Sequence, residues 1–559
     1  MKVVKDSRAR TIGDKGVAPT ADDRSKRPLP GNPRLRAAAA ALQDDRPDIA
    51  ENILREFLEL HPGNVEALRL MAETAAQNRR PGEAAALLAR CLAPAPDLAS
   101  VRFRYAELLF EISDFETAKS ELEILLQHDS RNSSWRKLYG AVLRMMGDYA
   151  GAISLYREML EESPDRPDLW TDCGHALRSL GRTDECVAAY RKAIELCESL
   201  GGAYWSLANL KRFRFSDAEV AAMEAQLART DLLANDRSYL HFSLGKAFED
   251  LELHEKAFEH YARGNAIVRL ANDYDPDVTT AYVARCREVF TPAFFHERNG
   301  AGCPAPDPIF IVGMPRAGST LVEQILSSHS AIEGTTELDD ITALARHLEE
   351  AIAPNHRSDY PGVLEYLDAA ALKALGEDYL RRTCYRRRLG RPFFTDKMPN
   401  NYLHAGLIHS ILPNAKIVDV RRHPLGCCFA NFRQHFSTGQ LFSYRQADLG
   451  RCYRDYVELM AHFDGVLPGR IHRVVYERLV ADPKAEVTRL LAYLGLPFEE
   501  SCLRFYETSR AVRTASSEQI RVPIYSDAVE QWRHYEQWLG PLKQALGPVL
   551  ETWPGAPAL

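Results

Sequence analysis

Two kinds of apolar pattern divide this chain of 559 residues. Through the first half, apolar residues fall at helical spacing on one face of successive segments, as in "DYAGAISLYREMLEESP". Small residues recur every 34 positions, at Ala38, Ala72, Ala106, Gly140, Gly174 and Ala208. Twelve positions after the first five stand Ala50, Ala84, Ala118, Ala152 and Cys186. Pro62, Pro96 and Pro164 keep the same step, with Ser130 in the vacant place, and after a slip of three residues Gly245 and Ala257 restart the spacing of 12. This pattern predicts helical hairpins whose small residues let paired helices approach closely and whose prolines end the second helix. From about residue 300 the period changes to short apolar runs: "IFIVG" at 309–313, "PFFTD" at 392–396, "AKIVDV" at 415–420 and "IHRVVY" at 471–476. Strands alternating with helical stretches predict an α/β domain with a parallel sheet, which binds ligands beyond the carboxyl ends of its strands.

The 34-residue lattice resembles the tetratricopeptide repeat over roughly residues 34–270. The resemblance implies an N-terminal all-α solenoid whose extended surface holds a protein or peptide, with scaffolding or dimerisation as the plainer alternative. The stretch "WSLANLKRFRFSD" at 205–217 breaks the pattern and is expected either to line the groove or to pack a joint. The expected organisation is a disordered tail at 1–32, the solenoid at 33–270, a helical connection at 271–304 and the α/β domain at 305–559.

Composition narrows the function classes. A net charge of -7 argues against generic nucleic-acid binding. Eleven cysteines without a C-x-x-C pair, two of them adjacent at Cys427 and Cys428, suit neither a disulfide framework nor a zinc site and point to a reducing cytoplasm. No 18 apolar residues run together, so no membrane span is expected.

The candidate chemistry starts at "IFIVGMPRAGSTLVEQIL", residues 309–326. A strand runs into a loop bracketed by Gly313 and Gly318 and then into a helix, which can aim backbone N–H groups and a helix N-terminus at an anion. The spacing matches G-x-x-x-x-G-K-[ST], yet Ser319 stands where the lysine of an ATP-binding loop would be. Arg316 in the loop and the hydroxyls of Ser319 and Thr320 suit an oxyanion without a metal, so no metal is expected.

These residues, with those around them, resemble the sulfotransferases that use 3′-phosphoadenosine 5′-phosphosulfate (PAPS), and most nearly the tyrosylprotein sulfotransferase type, over roughly 305–530. Pro315, Arg316, Ala317, Gly318, Ser319, Thr320 and Leu321 match that family's phosphosulfate loop, P-R-S-G-T-T-L. The resemblance implies a P-loop-like fold and PAPS as co-substrate, with an acceptor hydroxyl that in this type is a protein tyrosine. "VRRHPLGCCFANF" aligns Arg422 with the arginine of the 3′-phosphate motif, with Arg421 beside it. The family's serine eight positions on is Ala430 here, so that contact is absent unless Asn431 or another group replaces it. Glu337 in "EGTTELDD" aligns with the catalytic base, with Glu333, Asp339 and Asp340 as alternative acids, and Lys397 in "FFTDKMPNNYLH" with the leaving-group lysine. The resemblance gives Arg316 the sulfonate charge, Tyr476 the adenine or 3′ phosphate, and Ser516, Gln519 and Arg521 a place in a late loop over the nucleotide. The arginine-rich run at 381–391 is expected to be a solvated face, or else to steer an acidic ligand. A P-loop kinase or NTPase and a repeat adaptor with a decayed transferase domain are the other readings. The absent lysine opposes the first; Arg316, Glu337 and Lys397 oppose the second, which Ala430 favours. Homodimerisation is left open.

Overall fold

The computed structural model describes residues 31–78, 80–210, 212–356, 360–436, 439–508, 522–524 and 527–555. The tail at 1–30 and the late-loop residues Ser516, Gln519 and Arg521 lie outside the described residues. The chain divides into two compact units, described over 31–197 and 198–555.

The first unit is a series of helical hairpins from Pro33–Gln43 to Thr183–Leu196. Its caps recur on the repeat lattice. Asn64 and Asn132 accept from the backbone N–H of Ala67 (2.9 Å) and Trp135 (3.2 Å), while Asp114 and Asp148 accept from Thr117 (3.3 Å) and Gly151 (2.9 Å). Each satisfies one of the amides that a helix start leaves unpaired. Pro62, Pro96 and Pro164 follow the helices Pro47–Leu60, Pro81–Leu92 and Tyr149–Glu162, as the sequence predicts.

The first five small residues of the lattice have a reciprocal partner sixteen positions on. A Cβ on Gly140 would lie 2.6 Å from the Tyr156 ring, and one on Gly174 would lie 2.5 Å from Tyr190. Where the lattice position is alanine, at Ala38, Ala72 and Ala106, the residue sixteen on is a buried leucine, at Leu54, Leu88 and Leu122. Close packing conserves the summed volume of the pair, glycine going with tyrosine and alanine with leucine.

The second unit begins with helices that continue the repeat texture, among them Gly201–Ala208, Ala234–Asp250 and His254–Ala271. A Cβ on Gly245 would again meet the Tyr261 ring, at 2.6 Å. The packing therefore divides the chain inside the repeat region, and the expected boundary near 270–305 marks a change of sequence texture rather than a gap in packing. Trp205 packs on Phe242 (ring centroids 5.6 Å apart) and on His435 (6.3 Å), so this part of the irregular stretch fills a joint. The connection is helical at Pro276–Val289 and Pro292–Glu297. It is anchored by the Thr280 hydroxyl on Asp455 (2.7 Å) and the Tyr282 hydroxyl on the Leu403 carbonyl (2.8 Å).

The sheet has five parallel strands: β1 Pro308–Gly313, β2 Ile332–Gly334, β3 Phe393–Asp396, β4 Lys416–Arg421 and β5 Ile471–Val475. Their order is β2-β3-β1-β4-β5, with β1 buried along its length in the centre. Four strands fall within a residue of expectation; β2 was not foreseen. After β1 the chain moves to the β2 edge, and after β4 it moves to the β5 edge. The crevice beyond the ends of β1 and β4 is thus the topological switch point, where open α/β sheets bind ligands. No helix among the described residues is long and apolar enough to cross a membrane.

The reciprocal packing can be tested directly. Gly174→Ala should lower stability in chemical denaturation by up to about 2 kcal/mol, the balance of overpacking of about 1–3 kcal/mol and a helix-propensity gain of about 1 kcal/mol. Adding Tyr190→Leu recreates the alanine–leucine pair, and a double-mutant cycle should show favourable coupling of about 1 kcal/mol or more.

Candidate functional site

The loop after β1 is shaped by three left-handed residues. Gly313, Arg316 and Gly318 have φ of 138°, 63° and 104°. A Cβ on Gly313 would lie 2.4 Å from the Val420 carbonyl oxygen of β4, and one on Gly318 would lie 2.6 Å from the Tyr476 ring, so both positions demand glycine on two counts. The helix Ser319–Ser327 starts directly from Gly318, with Ser319 and Thr320 buried in its first turn. Its first amides precede the intrahelical ladder and are the groups that bind anions at helix starts.

The loop is backed by the helix Pro424–Phe432. The Asn431 amide donates to the Pro315 carbonyl at 2.7 Å and to the Cys427 carbonyl at 2.9 Å, and the Cys427 thiol also donates to Pro315 (3.4 Å). Asn431 is therefore occupied in holding the loop rather than standing in for the hydroxyl that Ala430 lacks. Arg422 donates to the Arg316 carbonyl at 3.3 Å and lies over the Tyr476 ring at 5.0 Å, so Arg316, Gly318, Arg422 and Tyr476 form one cluster at the switch point.

Arg421 faces elsewhere. It is fully buried, paired with Asp419 at 3.0 Å and lying over Tyr456, and Asp419 also takes Arg473 at 3.0 Å. Strand alternation puts Asp419 and Arg421 on one face of β4. Beside Arg422, the His423 N–H donates to Glu477 at 2.9 Å, and the His423 ring stacks on Trp532 at 5.0 Å. Burial, then Arg533 and Arg422, push His423 down to about 4, so it is neutral near pH 7. No spacing or motif in the sequence pointed to Trp532.

On the other side of β1, the ends of β2 and β3 bring Glu337 and Lys397 together as an ion pair. The Lys397 side chain is 1% exposed and Glu337 is 44% exposed. A buried ammonium without a partner would be costly, so the pair accounts for its placement. The Thr335 hydroxyl donates to the Thr395 carbonyl and fixes the two strand ends to each other. Glu333 is structural: its carboxylate accepts the N–H groups of Arg388 and Leu389, the latter at 2.7 Å. Burial raises the Asp340 carboxyl, with Arg386 and Arg382 opposing it.

The arginine-rich run is largely tied into the fold. Arg391 donates to the carbonyls of Ser327 (3.2 Å), His329 (2.9 Å) and Ile332 (2.7 Å), Arg387 pairs with Asp307, and Arg386 donates to the Thr336 hydroxyl at 3.1 Å. Arg381 and Arg382 pair with Asp378 on an exposed face. The expectation of a solvated face fits Arg381, Arg382 and the exposed Arg388.

Chemically, this arrangement supplies an anion cradle with two arginines at the switch point, and a carboxylate with an ammonium one strand away.

Asp396, next to Lys397, is fully buried and accepts from the Tyr379 hydroxyl at 2.8 Å; burial holds its carboxyl well above the usual range. A folded-state pKa above the unfolded value means that the folded chain keeps a proton the unfolded chain loses, so this group makes stability fall as pH rises above about 4. Asp396→Asn mimics the protonated form and keeps an acceptor for Tyr379. Urea denaturation of this variant between about pH 4 and pH 7 should show less loss of stability with rising pH than the parent chain shows.

Comparison with known proteins bears on this geometry. Residues 308–500 match the model of the sulfotransferase family, and residues 35–99, 75–142 and 143–196 match tetratricopeptide-repeat models. An uncharacterized protein of Aquifex aeolicus (strain VF5) is 30% identical over 454 residues, covering 80% of this chain and 59% of that one. Protein-tyrosine sulfotransferase 1 of Danio rerio is 26% identical over 243 residues, covering 40% of this chain and 65% of the relative. The chain thus spans less than two thirds of either relative. Among solved structures, the sulfotransferase domain from the Synechococcus PCC 7002 olefin synthase aligns at 20% identity and a TM-score of 0.31, over 41% of this chain and 88% of that one. The chain thus carries tetratricopeptide repeats within residues 35–196 and a sulfotransferase-family domain at residues 308–500.

Proposed function

We propose that the chain transfers a sulfuryl group from PAPS to an acceptor hydroxyl. The observation that carries this reading is the buried Lys397 paired with Glu337 at the strand ends, one strand away from the arginine-bearing loop. The residues present fit such a donor. The left-handed turns of the loop open a backbone cradle, with Arg316 and Arg422 beside it. When bound, the donor supplies the sulfuryl group and a phosphate leaving group.

Glu337 takes the acceptor's hydroxyl proton as the acceptor oxygen bonds to sulfur. Its partial exposure leaves it accessible to that hydroxyl. Lys397 would donate a hydrogen bond to the leaving phosphate oxygen as its bond to sulfur breaks, and Arg316 would neutralise the sulfonate oxygens. Pro315, Ala317, Gly318, Ser319, Thr320 and Leu321 form the 5′ cradle, and Arg422 with Tyr476 holds the 3′-phosphate end. Ser516, Gln519 and Arg521 belong to the same proposal. No metal is invoked.

The acceptor is proposed to be a protein or peptide tyrosine held by the repeats. The likeness to a protein-tyrosine sulfotransferase and the repeat solenoid support this. The cytoplasm is the proposed location, supported by cysteines none of which is joined in a disulfide in the structure.

Titration of the purified chain with 3′-phosphoadenosine 5′-phosphate should raise its melting temperature, whereas ATP with magnesium should not. Stabilisation by ATP alone would mean a kinase or NTPase, and no response to either would mean a repeat adaptor. With labelled PAPS and cell extract, Glu337→Ala and Lys397→Ala should each slow transfer by about 100-fold or more. Undiminished transfer by either variant removes that residue from its role.

A further inference from the structure

The loop 313–318 is held from behind by the helix Pro424–Phe432, and that helix is itself held by helices of repeat texture. Asn265, buried on the helix His254–Ala271, donates to the Phe432 carbonyl at 2.7 Å. This carbonyl is in the last helical residue, where no intrahelical donor reaches it. The Phe258 ring stacks on Phe432 at 5.8 Å. The next residue, Arg433, pairs with Glu249 of the helix Ala234–Asp250 at 2.5 Å. Glu249 is fixed in turn by the Tyr261 hydroxyl (3.0 Å) and the Gln531 amide (2.7 Å). Gln434 donates to Asn209 at 3.2 Å, and His435 meets the Ser238 hydroxyl at 3.3 Å. Four consecutive residues, 432–435, are thus gripped by helices of the repeat region.

The same short helix grips the loop. One residue before Phe432, Asn431 donates to the Pro315 carbonyl at 2.7 Å, and Cys427, one turn earlier, donates to the same oxygen. Arg422, just ahead of the helix, donates to Arg316. A nine-residue helix has little length in which to absorb a displacement of its end. Packed side chains and hydrogen bonds carry displacement across a rigid element of this kind.

We infer that the hairpin 234–271 positions the anion loop, with Asn265 and Glu249 as positioning residues acting through the helix Pro424–Phe432. In this arrangement the last repeats are part of the donor site's support, and removing their grip loosens the loop without touching any residue that faces a ligand. Only the affinity measurement below rests on the proposed donor; the loop's order is measured without it.

The test is hydrogen exchange of the backbone amides of residues 314–321 in the ligand-free full chain. Asn265→Ala should speed exchange there by at least about five-fold. Gly406→Ala is the control, because its added methyl would meet Phe290 at 2.5 Å and weaken the same unit away from this route. It should leave loop exchange unchanged. Unchanged exchange in Asn265→Ala, or equal acceleration in the control, overturns the inference. Should Asn265→Ala fail to fold, Glu249→Gln keeps the volume and removes the charge opposite Arg433, and the expected acceleration is about three-fold. In parallel, affinity for 3′-phosphoadenosine 5′-phosphate should fall at least five-fold in Asn265→Ala. A parent chain that does not bind this nucleotide overturns the donor reading, and the exchange result still decides the positioning role.

Discussion

The site depends on one backbone constraint: between Gly313 and Gly318 the chain enters the left-handed region three times while pressed between the β4 backbone and the Tyr476 ring. Two of those positions are glycines, which adopt this conformation freely. The third is Arg316, for which a left-handed conformation costs roughly 1–2 kcal/mol. Such a residue persists only where its surroundings fix it, and here both flanking carbonyls are taken: Pro315 by Asn431 and Cys427, Arg316 by Arg422. The position of the helix Pro424–Phe432 therefore determines whether the loop keeps its shape.

That dependence explains which parts of the molecule could be read from the sequence. The repeat lattice was legible because close helix packing imposes small residues at fixed intervals, and β1, β3, β4 and β5 were legible as short apolar runs. β2 was not, since three residues, Ile332–Gly334, carry no pattern of their own and are a strand only by pairing with β3. The division of the chain at residue 198 was also hidden. Repeat texture continues across it, and what joins the helices of that texture to the sheet domain includes a handful of polar residues, such as Asn265 and Glu249, far from their partners in sequence.

At the site, motif spacing brought Arg316, Arg422 and Tyr476 into one cluster and Glu337 and Lys397 into another. It left the direction of Asn431 open, and in the structure the amide holds the Pro315 carbonyl. Spacing identifies which residues gather at a strand end, but a terminal amide's direction depends on whichever acceptor packs nearest. Arg421 could have been excluded beforehand, because it alternates with Asp419 on the same face of β4 and a buried arginine needs that carboxylate.

The asymmetry of the Lys397–Glu337 pair bears on how the site would work. The ammonium is buried and the carboxylate is half in water. Withdrawing Glu337 costs the carboxylate little, since water solvates it, but would leave Lys397 as an uncompensated charge. Only another anion at the same place makes the withdrawal favourable. On the proposed mechanism, the carboxylate and ammonium that neutralise each other would therefore be separated by the arrival of an anionic donor. Glu337 would become available to an acceptor hydroxyl only once Lys397 had a ligand oxygen to hold. Such a pair favours binding the donor before activating the acceptor, and it follows from the unequal burial of the two groups.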